Sequence, residues 1–408
     1  MAFIAPAGTR IRARDLARGW SRVLTTGGAT AALTSSLSAS AGVNHAWPMS
    51  SGRAAMTVAL RAMRRACLDP GRDEVVIPAY TCYSVPASVQ RAGLRPRLCD
   101  VDPATLAMCP DALSRLDYSR VLAVASSNLY GIPNPLPAYE DIARDRDVLM
   151  FDDAAQAIGA RIRGRPAGAF GDVGLYSFDK GKIICTIQGG ALVARDGPVA
   201  TAIESAYAGV PLCGARESAA NAVKLLVYVA CLSPAPYGLI RRLPFLGLGR
   251  TDYHTPSPET RLGALQSGIA AELMARLELL NAGRRAVADD LREHLEGIPG
   301  LELPAVPPDA EPVYARFPVR VLDARLRGEF VDALQAAGIG ATVSYPSALP
   351  DVAEVRALLR SADDHFPGAR QLARQIVTLP THGYCPPDLG RRVREVAGRC
   401  LSRVSAER

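Results

Sequence analysis

Two carboxylates and two lysines are the residues of this sequence whose types and spacing indicate chemistry. An apolar run at residues 148–151 ends at Asp152 and Asp153, and Lys180 and Lys182 follow further along the chain. A lysine amine can act as a nucleophile when its surroundings shift its pKa, and a nearby carboxylate stabilises a positive charge. The pattern predicts covalent chemistry on a carbonyl group, although both lysines could instead be ordinary surface charges.

The scarcity of lysine favours the chemical interpretation. Lysine and arginine number 47 together, and only three of them are lysines, at positions 180, 182 and 224. Arginine can replace lysine as a solvated cation, but its guanidinium stays protonated and cannot serve as an amine nucleophile. Two lysines within one tripeptide therefore predict a Schiff base with pyridoxal phosphate (PLP). The residues alone leave open whether Lys180 or Lys182 forms it.

Asp153 fits the same cofactor. A PLP enzyme keeps the pyridine nitrogen protonated with a carboxylate partner, so that the ring can act as an electron sink. In open α/β sheets, ligands bind outside the carboxyl ends of the strands, and Asp153 lies where the run at 148–151 would end. The alternative is that Asp153 only caps the following helix.

This stretch resembles the DegT/DnrJ/EryC1/StrS family of PLP-dependent sugar aminotransferases, which have the aspartate aminotransferase fold. The matching motifs read DDAAQAIGA and GRPAGAFGDVGLYSF, followed by a lysine five residues after the serine of the second motif. The resemblance implies that Lys182, rather than Lys180, carries the cofactor. It also implies that Asp153 partners the pyridine nitrogen. In the same way, Gln156 is expected to contact the ring hydroxyl and Ser177 the phosphate.

Two further segments resemble cofactor contacts of the family. The motif SGRAAM predicts a capped helix, whose amino end at Gly52 and Arg53 could bind phosphate. Arg53 replaces a threonine of the family, so that its guanidinium could meet the phosphate in place of a hydroxyl. Cys82 stands where the family has an aromatic residue that stacks on the ring, and Tyr83 or Tyr80 is expected to supply that ring instead.

The composition is typical of a globular protein. The chain has 408 residues, 49% of them hydrophobic and 21% charged, and its net charge of +7 comes from dispersed arginines rather than from a nucleic-acid-binding patch. Nine scattered cysteines without a CxxC pair favour a reducing, cytoplasmic location, and no metal-ligand spacing is found. Neither a secretory signal nor a run of roughly 18 apolar residues is evident.

Strand and helix signals alternate over residues 70–195, which predicts a parallel sheet. We expect an α/β fold in which a large PLP-binding domain, residues 1–250, has a mostly parallel central sheet flanked by helices. A smaller C-terminal α+β domain, residues 251–408, would be entered by a long amphipathic helix over 265–295. The large domain is expected to include an apolar insertion at about residues 209–258.

The insertion contains a segment, residues 222–232, that is apolar almost all round. A buried helix and loop at a subunit interface is the expected explanation. The alternative is a weak peripheral membrane contact through residues 222–248, with Arg241 and Arg242 at headgroup level.

These features predict a PLP-dependent aminotransferase that is active as a homodimer. By resemblance, the amino donor is an amino acid such as glutamate. The acceptor is a keto-sugar nucleotide in polysaccharide or secondary-metabolite biosynthesis. Two alternatives stay open: an enzyme of the same fold acting on a non-sugar carbonyl substrate, and a catalytically silent member with a regulatory or scaffold role. The substrate assignment rests on resemblance, because a fold by itself does not determine function.

Overall fold

The computed structural model describes residues 3–24, 28–234, 237–238, 253, 258–360 and 365–401. The strands are β1 (His45–Met49), β2 (Glu74–Pro78), β3 (Arg95–Cys99), β4 (Val101–Asp102), β5 (Ala107–Met108), β6 (Val121–Ser127), β7 (Leu149–Asp153), β8 (Arg161–Ile162), β9 (Arg165–Pro166), β10 (Val173–Ser177), β11 (Gly190–Ala194), β12 (Leu301–Glu302), β13 (Ala310–Glu311), β14 (Phe317–Val321) and β15 (Ile376–Leu379).

The helices are α1 (Ala13–Ser21), α2 (Gly28–Ala41), α3 (Gly52–Ala66), α4 (Ser84–Arg91), α5 (Pro110–Ser114), α6 (Leu136–Asp145), α7 (Pro198–Ala208), α8 (Ala215–Cys231), α9 (Ala264–Met274), α10 (Leu277–Leu295), α11 (Arg327–Ala336), α12 (Ala353–Arg356), α13 (Pro367–Gln375) and α14 (Leu389–Leu401). Three short 3₁₀ helices lie at Arg22–Leu24, Leu129–Gly131 and Leu349–Asp351.

A seven-stranded sheet in the order β1-β11-β10-β7-β6-β2-β3 forms the centre of the molecule. β10, β7, β6, β2 and β3 run parallel to one another, and only β11 runs antiparallel to the strands on either side of it. The predicted α/β fold with a mostly parallel central sheet is therefore confirmed.

Both faces of the sheet are buried, which explains the continuous apolar runs in its strands. In β2, Val75 and Ile77 belong to one hydrophobic core and Val76 belongs to the other. This alternation follows from the two-residue period of a strand. α3, α4 and α7 cover one face, while α2, α6 and α9 cover the other.

The C-terminal residues form a smaller antiparallel sheet, in the order β12-β14-β15, against which α11 and α13 pack. α14 packs on α10 and α11. The described secondary structure after residue 300 therefore mixes short antiparallel strands with helices. The division of the chain near residue 250 stays a prediction.

The continuous helix predicted over residues 265–295 is wrong, because the chain forms α9 and α10 with a break at Ala275 and Arg276. Arg276 has φ −115° and ψ 11°, which lies outside the α-helical region. Its guanidinium forms an ion pair with Asp15, a buried carboxylate at the start of α1. The apolar period of 3.6 residues continues across this break, so that the sequence pattern could not reveal it.

α8 contains the apolar residues that were expected to form a buried helix. Leu225 is buried, but Val223, Leu226 and Val227 are exposed in the monomer. The remainder of the segment, with Arg241 and Arg242, lies outside the described residues. None of the described helices has both the length and the apolar character needed to cross a membrane.

Candidate active site

A cavity of about 320 Å³ opens at the carboxyl ends of β2, β6, β7 and β10, next to the amino end of α3. Ligands of open α/β sheets bind at this edge. The side chains that line the cavity are mostly polar. The lining residues used below are Gly52, Arg53, Cys82, Tyr83, Asp153, Gln156, Ser177, Asp179 and Lys182. All eight residues that the sequence placed at the cofactor site are therefore at one cavity.

The three lysines of the chain have different surroundings. Lys182 is half-buried and lines the cavity, in the loop between β10 and β11. Lys180 is exposed and is not part of the cavity wall, and Lys224 is exposed on α8. An amine that reacts with a bound ligand must reach it, which favours Lys182 over Lys180.

The loop that carries Lys182 is closed on itself by backbone hydrogen bonds. Phe178 N donates to Gly189 O over 2.8 Å, and Thr186 N donates to Phe178 O over 2.8 Å. Lys182 N donates to Asp179 O over 3.1 Å, which makes a tight turn at the lysine. These bonds bring the lysine back towards the end of β10.

The acidic pair at the end of β7 divides into two roles, because successive side chains of a strand point to opposite faces. Asp152 is fully buried and accepts hydrogen bonds from Ser126 Oγ (3.0 Å), Asn128 Nδ2 (2.8 Å) and Gly168 N (2.6 Å). Burial raises the pKa of Asp152, and these donors oppose the rise. Asp152 therefore fastens neighbouring loops and does not face the cavity.

Asp153 faces the cavity. Its Oδ1 accepts a hydrogen bond from Ala155 N over 2.9 Å, and no described residue donates to its other carboxylate oxygen. Burial raises the pKa of Asp153 to about 6, the charge of Lys182 opposes that rise, and the charge of Asp152 adds to it. A carboxylate so poorly solvated is suited to pair with a cationic nitrogen of a ligand.

The amino end of α3 and the end of β10 lie side by side at the other end of the cavity. Ser51 caps α3 by accepting a hydrogen bond from Ala54 N over 3.1 Å, and the amides of the first turn have no partner within the helix. A Cβ on Gly52 would lie 3.3 Å from Ser177 Oγ, so that glycine permits this close approach. Backbone amides at a helix start with a nearby hydroxyl are suited to a phosphate group.

Arg53 adds a positive charge at the same end of the cavity. Its side chain is half-buried and lines the wall, and it forms no ion pair with any carboxylate of the described residues. The guanidinium is thus available to an anionic group of a ligand.

Gln156 is held by two neighbours that the sequence did not reveal. Its Oε1 accepts a hydrogen bond from Tyr130 N over 3.1 Å, and its Nε2 donates to Tyr345 Oη over 3.0 Å. These two bonds fix the orientation of the amide and leave one N–H of Nε2 for a ligand. Tyr345 lies far along the chain from Gln156, and no local spacing connects the two.

The aromatic residues beside β2 lie at different depths. Cys82 and Tyr83 line the cavity, whereas Tyr80 is buried and is not part of its wall. Tyr83 Oη donates to Ser347 O over 3.1 Å and accepts from Ser347 N over 3.0 Å. Of the two candidate tyrosines, Tyr83 is the one within reach of a ligand.

The chemistry of these residues fits the groups of PLP. The amine of Lys182 matches the aldehyde, and the free oxygen of Asp153 matches the pyridinium nitrogen. Gln156 offers an N–H to the ring oxygen, while Ser177 and the first turn of α3 match the phosphate. The described residues contain no group of histidine, cysteine and acidic side chains that could hold a metal ion.

Comparisons with known proteins give the family and the relatives that this chain resembles. The model of the DegT/DnrJ/EryC1/StrS aminotransferase family matches residues 13–395. The UDP-N-acetyl-3-dehydro-alpha-D-glucosamine 3-aminotransferase of Acidithiobacillus ferrooxidans is 28% identical over 86% of this chain and 82% of its own. The L-glutamine:scyllo-inosose aminotransferase of Streptomyces griseus is 30% identical over 68% of this chain and 58% of its own. The solved structure of DesV from S. venezuelae aligns over 97% of this chain and 95% of its own, with 25% identity and a TM-score of 0.73.

Proposed function

Because the chain belongs to the DegT/DnrJ/EryC1/StrS aminotransferase family, we propose that it binds PLP in the cavity around Lys182 and transfers an amino group from an amino acid to a keto group. The keto group is carried by a nucleotide-linked sugar. The observation that carries the proposal is the pairing of a cavity-lining lysine with a cavity-facing carboxylate, Asp153, that lacks a full set of hydrogen-bond donors.

Eight residues of the cavity would hold the cofactor. Lys182 would attach it covalently through the amine, and Asp153 would hold its ring nitrogen in the protonated form. Gln156 would donate to the ring oxygen, since Tyr130 and Tyr345 already fix its amide. Gly52 in the first turn of α3, Ser177 and the guanidinium of Arg53 would hold the phosphate, and Tyr83 or Cys82 would contact the ring, since all of them line the cavity.

Bound PLP supplies an electron sink for removal of a proton beside the donor nitrogen. The amine of Lys182 would be the group that moves the proton in both half-reactions, because it would be free whenever an amino donor is bound in its place. Asp153 must stay ionised to keep the ring nitrogen charged. Its burial strengthens that interaction, because a charge pair is stronger where water is excluded.

The substrate classes follow from the relatives and from the charge of the site. A relative similar over most of its length acts on a UDP-linked keto sugar. Arg53 and the amino end of α3 give the cavity an anion-binding end. We propose glutamate as the amino donor, since the resemblance of the motifs implies it.

A keto-cyclitol is the second candidate acceptor. The relative from Streptomyces griseus is a scyllo-inosose aminotransferase, and the match is 30% identical. This acceptor carries no nucleotide, so that it would need fewer cationic groups outside the cofactor site. Turnover of a UDP-keto-sugar panel and of scyllo-inosose by the same preparation distinguishes the two.

The visible spectrum of the purified protein tests the cofactor and the lysine together. We expect wild type to bind added PLP with a visible absorption band that bleaches on addition of glutamate. Lys182→Ala should lose the band, and the matched variant Lys180→Ala should keep it, because Lys180 is exposed away from the cavity. A protein that takes up no PLP would instead favour a regulatory or scaffold role.

A further inference from the structure

The N-terminal segment, residues 3–11, is largely buried. Phe3 N donates to Pro234 O over 3.0 Å, and Ile4 N donates to Gly338 O over 2.8 Å. A Cβ on Gly181, beside the site lysine, would lie 3.1 Å from Ala7 Cβ. The segment therefore contacts both the C-terminal residues and the loop that carries Lys182.

Thr9 makes the contact to Lys182. Thr9 Oγ1 lies 2.6 Å from Lys182 O and 3.0 Å from Ile183 O, and the residue is 1% exposed. The single hydroxyl proton is thus shared between two carbonyls of the loop. Within the described structure, no other donor reaches the Lys182 carbonyl.

Arg284, on α10, lies behind Thr9. It is 3% exposed, and no carboxylate of the described residues pairs with it. Its guanidinium donates to Gly8 O over 2.5 Å, to Ala315 O over 3.2 Å and to Thr9 Oγ1 over 3.4 Å. Burial lowers the pKa of Arg284 to about 10, so that the charge is retained at neutral pH.

A buried cation surrounded only by neutral acceptors is unfavourable, and it persists only where the surrounding structure holds it. A second anchor lies beside it. His382 is 1% exposed, and its Nε2 donates to Ala5 O over 2.7 Å. Both anchors hold the same N-terminal segment, and through Thr9 that segment holds the main chain at Lys182.

We propose that Thr9 and Arg284 are positioning residues for Lys182, and this proposal rests on the proposed function of the cavity. The Thr9 hydroxyl fixes the carbonyl of Lys182, and Arg284 fixes Thr9 by binding the preceding carbonyl and the hydroxyl oxygen. The position of the amine relative to Asp153 therefore depends on a segment at the start of the chain. Neither residue contacts the cavity.

The scarcity of lysine permits a test that does not need the cofactor. Reductive ¹³C-methylation labels the three lysines and the α-amino group, and NMR then reads each amine separately. Lys180→Arg and Lys224→Arg assign the signals, and both remaining exposed lysines serve as internal references. The protein is the full chain without PLP, with thermal unfolding measured in parallel.

We expect Thr9→Val, which keeps the shape and removes the hydroxyl, to move the Lys182 signal relative to those of Lys180 and Lys224. Thr9→Ser restores the hydroxyl and should return the Lys182 signal towards its wild-type position. Arg284→Met keeps the lysine count at three and should move the signal in the same direction as Thr9→Val. The control Thr201→Val removes an exposed hydroxyl on α7 and should leave the Lys182 signal unchanged.

A Lys182 signal at its wild-type position in Thr9→Val would overturn the proposal. Equal changes in Thr9→Ser and Thr9→Val would also overturn it, because packing rather than the hydroxyl would then position the loop. Thr9→Val carries the test if Arg284→Met does not fold. If wild type fails to bind PLP while Thr9→Val moves the Lys182 signal, the proposed function fails and the positioning of Lys182 by Thr9 stands.

Discussion

Asp152 and Asp153 are adjacent in the sequence and opposite in their surroundings. Asp152 accepts hydrogen bonds from the end of β6 and from the loop before β10, whereas Asp153 keeps one carboxylate oxygen for the cavity. The difference follows from strand alternation, which places one side chain in the core and the next at the sheet edge. A buried carboxylate with one oxygen left without a hydrogen-bond donor should destabilise the ligand-free protein.

The pH dependence of stability tests this cost at Asp153. A carboxyl whose pKa is raised on folding favours the neutral form. Its contribution to the free energy of unfolding is therefore complete below pH 4 and is lost as the pH rises through about 6. In the ligand-free protein, Asp153→Asn removes this loss. From pH 4 to pH 8, we expect the free energy of unfolding of wild type to fall by about 2–3 kcal/mol relative to that of the variant. Urea unfolding at both pH values measures the difference.

His382 changes the stability of the folded protein in the opposite direction over the same pH range. Burial lowers its pKa to about 4, while the hydrogen bond to Ala5 O opposes the shift and Arg284 adds to it. The neutral form of His382 is favoured in the folded protein. Its contribution to the free energy of unfolding is therefore complete above pH 6.5 and is lost as the pH falls. The quantity to compare is thus the difference between wild type and Asp153→Asn at each pH. If that difference did not change with pH, the result would contradict the burial of Asp153.

The identity of the site residues could be predicted from the sequence where their spacing is local. Asp153, Gln156, Ser177 and Lys182 lie within one motif-rich stretch, and the cavity brings them together. Tyr345, which holds Gln156, could not be predicted in the same way, because the two residues are 189 positions apart in the chain. Contacts of that length depend on how two sheets pack, which no local period encodes.

At the scale of elements, the crossing of α3 and β11 sets the phosphate end of the cavity. A Cβ on Gly190 would lie 2.7 Å from Gly52 N, which is closer than a real Cβ approaches a backbone atom. The first residue of β11 therefore has to be small for the helix start to reach Ser177. A short distance between two backbones is not visible in the sequence beyond the presence of the glycine itself.

Gly190→Ala should push the start of α3 away from β11. We expect a loss of about 1–3 kcal/mol in the free energy of unfolding. A weaker affinity for PLP should accompany it, because the amides of the first turn move with the helix. Chemical denaturation and a PLP titration measure the two effects.

Gly283→Ala is the matched control, since Gly283 is exposed on α10 and a Cβ there would meet nothing within 4 Å. This control should gain about 0.5–1 kcal/mol from the helix preference of alanine. A Gly190→Ala protein with the wild-type PLP affinity would contradict the dependence of the phosphate end on this crossing.

Most elements could be predicted because their apolar period matches their burial. β2 and β6 are buried at every position, and their central residues, 75–77 and 121–125, are continuous apolar runs. The break between α9 and α10 was missed for a different reason. Arg276 forms an ion pair with Asp15 of α1 at the break, and the apolar period carries no information about such a long-range charge contact.

At the scale of the whole molecule, α8 presents an apolar side that the monomer leaves open. Val223 is 59% exposed and Val227 is 58% exposed, with Leu226 between them. Isolated exposed apolar residues are common, but several on one helix indicate a contact surface. The expected homodimer would explain this exposure if α8 lies at the subunit interface.

Val227→Asp tests that arrangement. A carboxylate on this side of α8 should weaken association and shift the protein from dimer towards monomer, as measured by light scattering. Leu68→Asp is the matched control, because Leu68 is 97% exposed outside α8 and its replacement should leave association unchanged. If the Val227→Asp protein kept the molar mass of wild type in solution, the subunit interface would lie away from this side of α8.

Chemical trapping identifies the lysine that holds PLP. Wild-type protein loaded with PLP is reduced with borohydride, digested and analysed by mass spectrometry. We expect the reduced pyridoxyl group on Lys182 and on neither Lys180 nor Lys224, because only Lys182 lines the cavity. Modification of Lys180 instead, or no specific modification of any lysine, would rule out Lys182 as the residue that binds the cofactor.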